Sequence, residues 1–133
     1  MEAMGTGHEG SLTTLHANDA RDVFIRLLSL MYMGMRHDMP ERMLYYKIYS
    51  AIDLVIFQRE VLEELEKGRY RVRRQVTEIH VVTNIDWSTG QIQTGELFLY
   101  DGCRLRCLGG ELSPRLVERC RRYGVEAPRL VRD

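Results

Sequence analysis

The residues best equipped for chemistry stand at the start of the chain. In "MGTGHEGSLTTLHANDARD" (4–22) two imidazoles, His8 and His16, lie among Gly5, Gly7 and Gly10 and the hydroxyls of Ser11, Thr13 and Thr14. Imidazole can ligate a metal, relay a proton or donate to a phosphate oxygen near neutral pH. A metal site needs a third and a fourth donor. Glu9 and Asp19 are near in sequence, yet the spacing is not that of an HExxH helix, where both rings share one face. A histidine can instead activate Ser11 or Thr13 as a nucleophile, but the G-x-S-x-G turn that presents such a serine is absent. The plainest alternative is a strand that ends in His16, with His8 in a solvated turn. Local chemistry alone leaves all three open.

The elements that would position these groups follow from periodicity. Three glycines in the first ten residues suit a turn. "SLTTLHA" (11–17) alternates and carries β-branched residues, which predicts a short strand. Asn18 or Asp19 then caps a helix in which Val23, Leu27, Leu30 and Met31 recur at helical spacing, with Gly34 as its stop. Pro40 opens a second helix through "ERMLYYKIYSA". "IDLVIFQ" (52–58) is a continuous apolar run of the kind found in buried strands, and "REVLEELEKG" reads as a short helix or as the arm of a hairpin. "YRVRRQVTEIHVVTNID" and "TGQIQTGELFLYDGCRLRC" read as successive antiparallel strands joined through Trp87–Gly90. Ser113 as cap, Pro114 in the first turn and Gly124 as stop delimit a last helix. Arg115, Arg119 and Arg122 lie away from Leu116, Val117 and Cys120 on it, as on a docked surface helix.

Composition excludes several classes. The chain has 133 residues, enough for one domain with a real core. A formal net charge of zero argues against a nucleic-acid partner, because phosphate contacts need a basic surplus. Of the basic residues 17 are Arg and only Lys47 and Lys67 are Lys, a bias that a GC-rich genome explains. Cys103, Cys107 and Cys120 form no CxxC pair, which points away from a disulfide framework. Cys103 and Cys107 are four apart in an expected strand, so they share a face and packing explains them better than zinc. No apolar run approaches the ~20 residues of a membrane span, and no signal peptide opens the chain. The expectation is a cytoplasmic protein that can still dock on a membrane partner.

A wider pattern takes in the opening stretch. "TGHEGSLTTLHAN" (6–18) resembles the histidine box of the secretion ATPases, the hexameric P-loop motors of type II and type IV secretion and of type IV pili. The eight-residue separation of His8 and His16 resembles the branch that serves type IV secretion and tight-adherence (CpaF-type) pili. "NDARDVFIRL" (18–27) resembles the helix that follows the box. "SAIDLVI" (50–56) and "QVTEIHVV" (75–82) are similar to later segments of the family, in its order and at about its spacing. The resemblance covers residues 1 to about 100. It implies a catalytic or nucleotide-sensing role for His8, His16 and Arg26, and nucleotide contacts from Gly7, Thr13 and Thr14. Arg21 reads better as part of a solvated helix face. Phosphoryl transfer is catalysed mostly by positioning and charge around the γ-phosphate, a task two converging imidazoles suit.

The sequence also departs from that family. No G-x-x-x-x-G-K-[ST] loop is present, since Lys47 follows Tyr46 and Lys67 follows Glu66, and no apolar strand ending in an acid precedes Gly5. The fold expected from the resemblance is α/β: the C-terminal part of a RecA-like core over residues 1–58, with appended antiparallel strands and a C-terminal helix over 59–133. The full-length protein is then a homohexamer that uses ATP and Mg²⁺ and works with an inner-membrane platform protein. The chain alone is expected to bind no cofactor and to hydrolyse nothing. The alternative is a non-enzymatic interaction module that binds or regulates a secretion motor.

Overall fold

A computed structural model of the chain describes residues 10–34 and 39–133. Helix α1 (Asp22–Gly34) buries Phe24, Leu27 and Met31, which fall on one face at helical spacing. Helix α2 (Glu41–Ala51) follows Pro40 at its N-cap and buries Leu44 and Ile48, one turn apart. Strands β1 (Leu54–Glu66), β2 (Arg69–Ile85), β3 (Ile92–Tyr100) and β4 (Leu105–Cys107) form one antiparallel sheet in the order β1-β2-β3-β4. Helix α3 (Pro114–Arg122) closes the chain, and the Ser113 hydroxyl accepts a hydrogen bond from the Leu116 amide at its start. The result is a small mixed α/β domain. No helix among the described residues is long and apolar enough to cross a membrane.

Helices α1 and α2 pack together on one face of the sheet. Ala20, Phe24, Leu27, Met31, Leu44, Ile48, Val55 and Val82 make a single apolar cluster. Leu44 and Ile48 are sealed from solvent, so truncating either to alanine costs about 2–5 kcal/mol in lost burial and cavity. Val81 and Val82 are neighbours in β2, and a strand points neighbours to opposite faces. Each is only 1% exposed, so both faces of the sheet are covered at that level.

The β2–β3 turn shows why one glycine is required. Gly90 has φ +75, and a Cβ there would come within 2.5 Å of the Tyr45 ring. The turn therefore lies flat against α2, where Trp87 also stacks on Tyr46 with ring centroids 5.9 Å apart.

Three expectations need correction. Residues 11–17 form no strand: Leu15 packs against the core and Thr14 and His16 face solvent, so the alternation is present, but no neighbouring strand pairs with it among the described residues. The "IDLVIFQ" run is an edge strand rather than a buried one. Val55 is buried, while Leu54 and Ile56 on the other face are 41% and 55% exposed. Cys103 and Cys107 do not share a strand face, because Cys103 lies in the exposed turn before β4, whose conformation Asp101 fixes by accepting from the Cys103 and Arg104 amides.

"REVLEELEKG" resolves as the arm of a hairpin. β1 continues to Glu66, turns through Gly68 and returns as β2. The far half of this hairpin stands out from the body with little burial on either strand. Directly opposed pairs hold it: Arg71–Glu63 at 2.6 Å, Arg74–Glu60 at 3.5 Å and Arg69–Glu66 at 3.6 Å. Exposed pairs of this kind contribute little each, roughly 0.2–1 kcal/mol, and act mainly to fix register.

Candidate functional site

The polar segment ahead of α1 is anchored at its end. Asp19 Oδ1 accepts from the amides of Arg21 and Asp22, each at 2.8 Å, so two of the otherwise orphaned donors at the helix start are satisfied. The backbone amides of Asp22 and then of Arg21 hold the Asp19 carboxyl below the usual carboxylate range, and the charges of Arg21 and Arg59 act in the same direction. Asp22 reaches back in turn, accepting from the backbone amide and the side-chain amide of Asn18. With Ala20 buried beneath, this reciprocal arrangement fixes where the chain enters α1.

That anchor presents His16 to solvent two residues before the capping pair. Thr13 and Thr14 are exposed beside it, Arg21 is exposed in the turn just before α1, and Arg26 is exposed on the second turn of that helix. No hydrogen bond joins His16, Thr13, Thr14 and Arg26 to one another among the described residues. Gly7 and His8 lie outside the described residues. The segment is thus a polar, imidazole-bearing surface on a fixed helix start, able to donate to an anion brought against it.

Two further clusters were not legible as sites in the sequence. The first is centred on Asp53, the acid of "SAIDLVI". Arg115 Nε donates to its Oδ1 at 3.0 Å, and Arg119 Nη1 donates to Oδ2. Arg115 also donates to the carbonyls of Tyr49 and Ile52, and its guanidinium lies 4.6 Å from the Tyr49 ring centroid. One arginine of α3 therefore satisfies carbonyls at the C-terminal end of α2 while neutralising the acid that follows (a favourable place for a cation on both counts). The signal that could have found it is the i, i+4 spacing of two arginines in a helix with no acid in its first turn.

The second cluster is Arg59, Glu78 and His80. Arg59 Nη2 and His80 Nε2 reach the two oxygens of Glu78 at 3.2 and 3.1 Å. His80 is 4% exposed and its Nδ1 has no hydrogen-bond partner among the described residues. The contact to Glu78 uses Nε2, so Nδ1 is the buried ring nitrogen left without a partner among the described residues. Beside this cluster an open groove of about 540 Å³ is lined by Arg59, Glu60, Val61, Leu62, Thr77, Glu78, Tyr100 and Gly102.

Three of the four quoted family segments fall on elements of the fold: "NDARDVFIRL" enters α1, "SAIDLVI" runs from the end of α2 through Asp53 into β1, and "QVTEIHVV" lies in β2, whereas residues 10–18 of the box form neither helix nor strand and residues 6–9 lie outside the described residues. No curated protein matches the chain. The family model described as "Type II/IV secretion system protein" matches residues 1–104, which is most of the chain and includes all four segments. The chain therefore belongs to the type II/IV secretion system protein family.

Proposed function

We propose that the chain is the C-terminal portion of a hexameric ATPase of the CpaF-type, type IV secretion and tight-adherence branch, coupling ATP hydrolysis to pilus assembly or protein secretion. The observation that carries this reading is the family match over residues 1–104 together with the box "TGHEGSLTTLHAN", whose His16 is presented at a fixed helix start. In the assembled motor His8 and His16 donate to the γ-phosphate or report its presence, and Arg26 on the following helix adds a positive charge. Gly7, Thr13 and Thr14 shape the turn and hold the imidazoles. ATP and Mg²⁺ bind only where a P-loop lysine and a magnesium-binding acid are supplied, since these furnish the largest charge terms in phosphoryl transfer. The ring works at the inner membrane with a platform protein, and the chain by itself is inactive.

Sequencing the source DNA upstream of the Met1 codon tests this directly. An in-frame G-x-x-x-x-G-K-[ST] is the expected result. A stop codon and ribosome-binding site immediately before Met1 would overturn it in favour of a stand-alone module that binds or regulates a secretion motor.

A further inference from the structure

The two edges of the sheet are finished differently. β4 is only three residues long, and the last residue of the chain covers it: the Cys107 amide donates to Asp133 Oδ2, and the Asp133 amide donates to the Cys107 carbonyl. Short length and a covering segment are the usual protections of an edge against pairing. β1 has neither. It runs for 13 residues, and no strand among the described residues pairs with its outer side. Beyond Arg59 the strand is largely exposed, with Leu62 at 70% and Leu65 at 50%.

The chemistry of this stretch is specific. Residues 60–66, "EVLEELE", carry four carboxylates and three aliphatic side chains. A second copy of β1 laid along this edge would oppose glutamate to glutamate, which is destabilising. The strand on the inner side shows what does match: Arg74 opposite Glu60, Val72 opposite Leu62, Arg71 opposite Glu63 and Arg69 opposite Glu66. The outward backbone groups of β1 can accept a second strand of the same kind, and its basic side chains would meet the same carboxylates from the other side.

We infer that the outer edge of β1 over Glu60–Glu66 is a docking site for an extended, basic segment of a partner protein. The segment adds as an antiparallel strand, with Lys or Arg opposite Glu60 and Glu63 and an aliphatic residue opposite Leu62. Backbone hydrogen bonds supply the affinity and the carboxylates supply the choice of partner.

The test uses the 133-residue chain and a labelled peptide of sequence RYRVRRQV, the inner strand's own residues 69–76. Saturable binding by fluorescence anisotropy is expected, weakening with added salt, together with slowed amide exchange confined to residues 60–66. The exposed double variant Glu60→Lys, Glu64→Lys should bind the peptide about fivefold more weakly while its circular dichroism is unchanged. No binding, equal binding of a scrambled peptide, or exchange protection elsewhere would each overturn the proposal. So would a dimer of the chain in sedimentation velocity that excludes the peptide, because the edge would then be a self-pairing surface.

Discussion

Arg115 is the side chain on which the ends of the fold meet. It binds the Asp53 carboxylate and two backbone carbonyls while a quarter exposed, so its hydrogen bonds are charged and poorly replaced by water. Removing it leaves those carbonyls and half of the Asp53 carboxylate without their donors. Arg115→Ala should therefore destabilise the domain by about 3 kcal/mol in urea unfolding, against about 1 kcal/mol for Arg119→Ala, which removes a single partner. Equal effects would show that the carbonyl contacts contribute nothing. Asp101 offers a pH-dependent counterpart. The Arg104 amide first, then the Arg106 side chain and the Cys103 amide, hold its carboxyl far below the ordinary carboxylate range. A depressed pKa in the folded state gives stability that is present above the unfolded value, near 4, and lost as pH falls below it. Asp101→Asn should therefore lower the thermal midpoint at pH 7, and the gap between the two proteins should close as pH is taken from about 4 toward 2. A gap that stays constant across that range would show that the carboxylate's charge is not what the turn uses.

At the scale of elements, turns and caps were more legible than burial. Asp19 at the first helix, Pro40 before the second, Ser113 and Gly124 around the last, and the Trp87–Gly90 connection are each fixed by chemistry that acts within a few residues, and the sequence carries that information locally. Whether "SLTTLHA" becomes a strand depends on a neighbour to pair with, and whether "IDLVIFQ" is buried depends on what covers it. Both are long-range questions that periodicity does not answer. The same distinction explains the site. The box and the family segments were readable as residues, whereas the Asp53–Arg115 contact joins positions 62 residues apart, and the i, i+4 spacing of Arg115 and Arg119 marks one partner without naming the other. The β2–β3 turn carries a prediction at this scale. Gly90→Ala forces a positive φ on alanine and drives its Cβ into the Tyr45 ring, so the turn must lift from α2. We expect a loss of about 1–3 kcal/mol, accompanied by a red shift of Trp87 fluorescence as the indole leaves Tyr46. A stability loss with unchanged fluorescence would place the strain in the backbone alone.

The whole molecule poses a question that no single element does, namely whether a member of an ATPase-related family can turn over nucleotide with these residues. Hydrolysis needs a positive group on the β- and γ-phosphates, a metal ion to spread the developing charge, and a positioned water. The chain offers two lysines. Lys47 lies within α2, and Lys67 lies in the turn of the projecting hairpin after Glu66. Neither stands in a glycine-rich loop ahead of a helix, the arrangement that turns backbone amides toward a phosphate. Imidazoles at His8 and His16 can donate to a phosphate oxygen, but they cannot replace the charge of both a lysine and a divalent ion. The purified chain should accordingly release no phosphate from Mg-ATP above the buffer rate in a malachite-green assay, and His16→Ala should change nothing in that assay. The same substitution in a protein that carries both the P-loop and this chain should lower turnover about 10²-fold or more, the loss typical of removing one stabilising donor from a transition state. Mg-dependent turnover by the chain alone, abolished by His16→Ala, would mean that these residues assemble a phosphoryl-transfer site of another design.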